Sequence, residues 1–383
     1  MKKRVQVAGS RDRFAYFLET EHQPISSAHP AWGQNLPGGR GCFHSDGRPG
    51  EEIPFTVGDY FLAAREFLER ARPTAAAERI RIHLAKHGAF YHPAKVAALI
   101  SGRWDDFVLN IALSDAGREL IKKEFHTLQR LRRDAPPQWL PAVFELGAVE
   151  RPGGPPAVMF LGEWFSGFHE FHLTRHSPAA ETAIVVWDPE NGNRLLNRVE
   201  ARALYAGATR ILTRYLDLTT GECIGSWHHA AGDFVVSLAG GDPAIRLITV
   251  RGYRPMRRQW PAAETALPEL MESLLLFFLH MSIRMRLDRL DGVGEVAWSD
   301  PVAVEGCLDG FLEGLSAKPD LTGIPLPPDL LFRHYVLSLS PGYLLDVCRG
   351  LLATFRPNSP DLPVASVRLE EHASALTAAL GKR

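Results

Sequence analysis

The chain has 383 residues, 45% of them hydrophobic and 23% charged, and its 43 basic and 44 acidic side chains leave a formal net charge of -1. That much apolar material excludes wholesale disorder and suffices for large cores. The near-neutral balance argues against a broad electrostatic surface for nucleic acid, so no nucleic-acid partner is expected.

The N-terminus, MKKRVQVAGSRDRF, lacks the apolar stretch of a secretory signal. The greasiest segment, residues 270–281, contains Glu272 and falls short of the roughly 20 apolar residues that span a bilayer. No membrane partner and a cytoplasmic location are expected. Residues 1–56 are rich in Gly, Pro, Ser and His with weak periodicity and read as a partly irregular extension. VGDYFLAAREFLERAR, residues 57–72, is an amphipathic helix stopped by Pro73. From residue 79 the pattern alternates: RIRIHLAKHG, FYHPAKVAALI and, after the turn SGRWDD, FVLNIALS read as three strands. DAGRELIKKEFHTLQRLRR is a helix capped by Ser114 or Asp115, with Leu120, Ile121, Phe125, Leu128 and Leu131 as its apolar stripe. LPAVFELGAVE and AVMFLGEWF are two more strands, joined by RPGGPP.

Beyond residue 166 the pattern is mainly helical. EARALYAGATRILTRYLDL is a helix, and FVVSL and IRLITV form a hairpin around AGGDP. Helices follow at 262–290 and 301–317, then through LFRHYVLSLSPGYLLDVCRGLLATF and over the last 20 residues. The first of these is apolar nearly all round and reads as a buried core helix. The cysteines, Cys42, Cys223, Cys307 and Cys348, form no CxxC pair, which points to reduced, buried thiols rather than a disulfide framework or zinc knuckle.

This order, β-β-β-α-β-β and then a helical half with a short hairpin after its first helix, resembles the protein-kinase-like superfamily of protein kinases and aminoglycoside-type phosphotransferases. The resemblance covers about residues 79–350 and rests on element order and loop placement, since the sequence motifs are degraded. It implies an α+β, bilobal fold: an extension over 1–56, an N-lobe over 57–165 with a five-stranded antiparallel sheet and one helix, and a mainly helical C-lobe over 166–383. It also implies a cleft for ATP and Mg2+, with a catalytic-loop-like hairpin at 226–250.

Carried residue by residue, the resemblance places AKHGAFYHP at the phosphate loop, with Gly88 for backbone approach and Lys86, His87 or Lys95 for charge. Asn110 stands where the family has its strand lysine, and Glu124 matches the helix glutamate; Lys122 or Lys123 is a substitute cation. Glu163, Trp164 and Phe165 fall at the adenine hinge. Asp233, just before FVVSL, takes the place of the metal-binding Asn and is a competent oxygen ligand. Five residues earlier, His228 falls on the general base, a role an imidazole can fill near neutral pH. Thr249 occupies the position of the second metal-binding Asp, for which Asp242 lies too far along the turn.

Two readings stay open from these substitutions. One is a phosphotransferase or nucleotidyltransferase acting on a small molecule or a peptide or protein partner, with Asp233 holding Mg2+ and His228 as base or substrate contact. The other is an inactive pseudokinase that binds a partner or ligand. A third, a His/Asp metal centre, would draw on His228, His229 and Asp233 with His169, His172 and His176. A Ser/His/Asp hydrolase through Ser226 lacks the GxSxG elbow. Arg251, Arg254, Arg257 and Arg258 could meet a phosphate or an acidic partner, or form a solvated loop.

Overall fold

The computed structural model describes residues 12–18, 21, 23–36, 55–84, 90–134, 138–151, 153–177, 180–225, 229–257, 259–261, 266–321 and 323–382. These divide into two units, one running to Ser166, the other taking Leu131–Leu140 and the chain from Gly167 onwards.

In the first unit the strands and helices follow as β1 (Phe14–Leu18), α1 (Val57–Arg70), β2 (Arg79–Leu84), β3 (His92–Ile100), β4 (Arg103–Ala112), α2 (Asp115–Asp134), β5 (Val143–Arg151) and β6 (Gly154–Glu163). They build a six-stranded sheet in the order β1-β2-β3-β4-β6-β5. Five strands are mutually antiparallel, as expected. The sixth corrects the expected five-stranded antiparallel sheet: β1 joins β2 in parallel, so the sheet is mixed. FAYFL is too short to stand out by periodicity. It becomes a strand because Phe14 and Tyr16 find a core, Tyr16 packing on Phe61 at 5.0 Å and on Trp32 at 5.6 Å.

A capping box starts α1, with Thr56 and Asp59 each accepting the other's backbone N–H. Its face of Tyr60, Phe61, Phe67 and Leu68 joins Ile80, Ile82, Val96, Leu109, Ile111 and Leu161, all inward residues of one sheet face, in a single core. Burying side chains of this size stabilises by roughly 1.5–3 kcal/mol each. Ser114 caps α2 by accepting from Gly117 N at 3.1 Å, and Ile121, Phe125 and Leu128 are buried along it.

The second unit begins with β7 (Phe171–Thr174), β8 (Ala183–Val186) and β9 (Arg194–Leu195) in one small sheet, then α3 (Arg198–Arg214). After β10 (Glu222–Gly225) comes the expected hairpin of β11 (Phe234–Ser237) and β12 (Ala244–Leu247), and β13 (Gly252–Pro255) returns to pair with β10. The helix α4 (Leu267–Met285) leads into the pair β14 (Leu287–Arg289) and β15 (Val296–Trp298). The chain closes with α5 (Val302–Ser316), α6 (Pro328–Leu337), α7 (Pro341–Leu352), α8 (Asp361–Ser366) and α9 (Leu369–Gly381). The half read as mainly helical therefore carries several extra strands, each two to four residues long, below the length at which alternation is legible.

Helices α3 and α5 pack at very close range. Gly306, Gly310 and Gly314 sit one turn apart on α5; a Cβ at Gly310 would overlap the carbonyl oxygen of Ala206, and one at Gly314 would stand 2.6 Å from Thr213 Cβ. Arg202 meets Asp309 at 2.6 Å and Arg210 meets Glu313 at 2.7 Å along the seam. Phe278 of α4, Phe311 of α5 and Phe332 of α6 form an aromatic core, with Phe311 5.1 Å from Phe278 and 4.8 Å from Phe332. Among the described residues no helix is long and apolar enough to cross a membrane.

Candidate functional site

Asp233 closes the turn that enters β11. Its N–H donates to Ala230 O at 3.3 Å, and its carbonyl accepts from Ile248 N at 2.9 Å, so the turn before β11 and the residue after β12 fix its backbone. Gly232 before it has φ +83, a conformation that favours glycine. The Asp233 residue is only 3% exposed. A buried carboxylate needs a cation or several donors, and Arg251 supplies one, its Nη2 lying 2.9 Å from Asp233 Oδ1. Thr249 lies between β12 and β13 and is half-buried. The residues expected to hold Mg2+ thus amount to one carboxylate already engaged by a guanidinium and one hydroxyl. Mg2+ is held through one or two carboxylates together with waters and substrate phosphates, and the one carboxylate here is already paired with a guanidinium.

In the first unit, Asn110 lies on β4 opposite Pro93 and Phe160. It alternates with Leu109 and Ile111 and so belongs to the sheet face away from the α1 core. Lys122 and Lys123 are exposed, and Lys122 Nζ is 3.3 Å from Glu119 of its own helix. Glu124, one residue further, is buried. Lys95 is held by Asp106 at 2.9 Å and covers the Trp164 ring at 5.3 Å. Glu163 Oε2 accepts from Ala142 N at 2.9 Å, tying the end of β6 to the start of β5. Lys86, His87, Gly88, Ser226, His228 and Arg258 lie outside the described residues. Asn110, Lys122, Glu124 and Glu163 thus belong to the first unit, and Asp233 and Thr249 to the second.

The histidines sort differently from their sequence grouping. His176 is exposed, and His169 sits 3.6 Å from Asp188 while its backbone bridges Val236. His172, on β7, is buried against Asp288, with Nδ1 3.2 Å from Oδ2, and its ring lies 4.4 Å from that of Trp187. His229 reaches the other oxygen of Asp288 at 3.9 Å and Asp361 at 3.2 Å. Burial disfavours the His172 cation, but hydrogen bonds to Asp288 and Glu170 outweigh it and raise the imidazole to about 9. Asp288 and Asp361 escape the sequence reading because 116 residues separate Asp288 from His172 and 132 separate Asp361 from His229. Among the described residues no group of three or more His, Cys, Asp and Glu side chains is placed to hold a metal ion. The acids and imidazoles meet in successive pairs, two within hydrogen-bond reach and two at 3.8–3.9 Å.

No protein-family model matches the chain, and no curated protein matches it. Among solved structures it is similar to WaaP in complex with acyl carrier protein, at 10% identity over 76% of this chain and 88% of that one, with a TM-score of 0.31. A likeness of that size assigns no family.

Proposed function

We propose that this chain is a kinase-like protein that binds a ligand or a peptide or protein partner without metal-dependent phosphoryl transfer. The succession β2, β3, β4, α2, β5, β6, then α3 and the β11–β12 hairpin, follows the order of that superfamily. The Arg251–Asp233 ion pair carries the proposal. Phosphoryl transfer depends on metal ions and cations that neutralise charge developing in the transition state. Here a side chain of the protein neutralises the carboxylate that would bind the ion. Asn110 supplies no charge in place of a lysine, and Thr249 supplies a hydroxyl in place of a carboxylate.

Thermal-shift measurements with ATP, with and without Mg2+, test this reading. The expected outcome is that Mg2+ adds nothing to any stabilisation by ATP and that no ATP is consumed with candidate small-molecule or peptide substrates. The transferase reading, with Asp233 on Mg2+ and His228 as base, wins instead if Mg2+-dependent stabilisation disappears in Asp233→Asn and ATP is turned over.

A further inference from the structure

Arg251 accounts for the charge of Asp233, but the neighbouring histidines answer to other acids. Asp288, on β14, stands between them. Its Oδ2 accepts from Leu173 N at 2.8 Å and faces His172 Nδ1 at 3.2 Å, while its Oδ1 is 3.9 Å from His229 Nδ1. His229 Nε2 meets Asp361 Oδ1 at 3.2 Å, and His172 Nε2 lies 3.8 Å from Glu170 Oε2. Acid and imidazole therefore alternate in one row, from Asp361, 1% exposed, to Glu170, whose side chain is 26% exposed. The row joins four segments remote in sequence: β7, the stretch entering β11, β14 and α8.

We infer that this row is a pH-responsive clamp, in which protonated His172 holds Asp288 and, through it, the segment 229–233 that delivers Asp233, and deprotonation of His172 loosens that segment. Trp187 and Gly292 fence the ring: Gly292 has φ +73, and a Cβ there would come within 3.0 Å of His172 Nε2. His172 cannot escape to solvent without moving them. The charged groups around it are Glu170 beside it on the chain, Asp288 from β14, and then His229 and Asp361 further along the row. The Arg284 charge is felt at Asp361, and Tyr205 lies within electrostatic range of Asp288. Two buried carboxylates share the row's imidazoles, so loss of the His172 proton leaves Asp288 underpaired. The elevation of His172 to about 9 sets where this happens. Its sign is that of a raised group: the clamp is fully formed below the ordinary histidine value and lost as pH rises through about 9. The clamp does not depend on what the hairpin binds.

Hydrogen exchange of the intact protein, read by mass spectrometry from pH 6 to 10 and corrected for intrinsic rates, tests it. Protection of residues 229–237 is expected to fall by up to about tenfold per pH unit between roughly pH 6.5 and 9 and then level off, while α9 keeps its protection. Glu170→Gln, a change at a partly exposed side chain, is expected to move the fall to lower pH, and His172→Gln to abolish it. A wild-type profile without the fall, or an equal fall in His172→Gln, overturns the clamp. Should His172→Gln fail to fold, a midpoint unmoved in Glu170→Gln overturns it equally.

Discussion

A carboxylate as buried as Asp233 must be matched by a charge or by donors, and the guanidinium of Arg251, just past the returning strand of the hairpin, does so. The pair is asymmetric, since the Arg251 side chain is 27% exposed and Asp233 is not. Arg251→Ala is therefore expected to cost about 2–4 kcal/mol, because it removes the cation beside a buried acid, whereas Asp233→Asn costs less and the double substitution recovers most of the loss. Urea unfolding of the four variants in a double-mutant cycle measures this, and a coupling energy near zero would show that the ion pair does not stabilise the fold. Glu163 accepts from Ala142 N, and the partly exposed Lys95 meets Asp106.

At the scale of elements, the seam of α3 and α5 is set by glycine. Gly310→Ala would improve intrinsic helix propensity by roughly 1 kcal/mol, yet the new methyl would run into the Ala206 carbonyl. A net destabilisation of about 1–3 kcal/mol is expected, because backbone cannot yield as a flexible side chain can. Gly350 of α7 is the control: nothing lies within 4 Å of a Cβ there, so Gly350→Ala should stabilise by about 0.5–1 kcal/mol. Chemical denaturation of the two variants decides it; equal effects would mean that the seam tolerates widening. The arginine–carboxylate pairs flanking the seam are mostly exposed and add orientation more than energy.

For the molecule as a whole, the buried histidines shape stability against pH. Burial pushes His280 down to about 4, assisted by Arg284, and His372 down to about 3, assisted by Arg286. Both are depressed, so the stability they contribute is complete above the ordinary histidine value near 6.5 and is lost as pH falls through those values. His172 works in the opposite direction, losing its contribution as pH rises through about 9. Lys318, brought down to about 8 by burial, adds stability again as pH climbs further. The unfolding free energy measured in urea is therefore expected to be highest near neutrality and to drop by up to about 1.4 kcal/mol per pH unit per histidine on the acid side. Replacing His280 with Phe should make that acid limb shallower; an unchanged limb would assign it to His372 and the carboxylates.

By itself the sequence determined the parts whose signal is local: the alternation of β2, β3 and β4, the stripe of α2 with its cap at Ser114 or Asp115, and the β11–β12 hairpin. These follow from side-chain periodicity and turn chemistry within a window of a dozen residues. Only the tertiary structure decided that FAYFL is a strand, that α5 is pressed onto α3 through three glycines, and that Arg251 takes the carboxylate of Asp233. It alone put Asp288 between His172 and His229. The reason is physical: a short strand is made by the core that receives it, and a buried charge is answered by whichever partner folding brings within hydrogen-bond reach, however far away in the chain that partner stands.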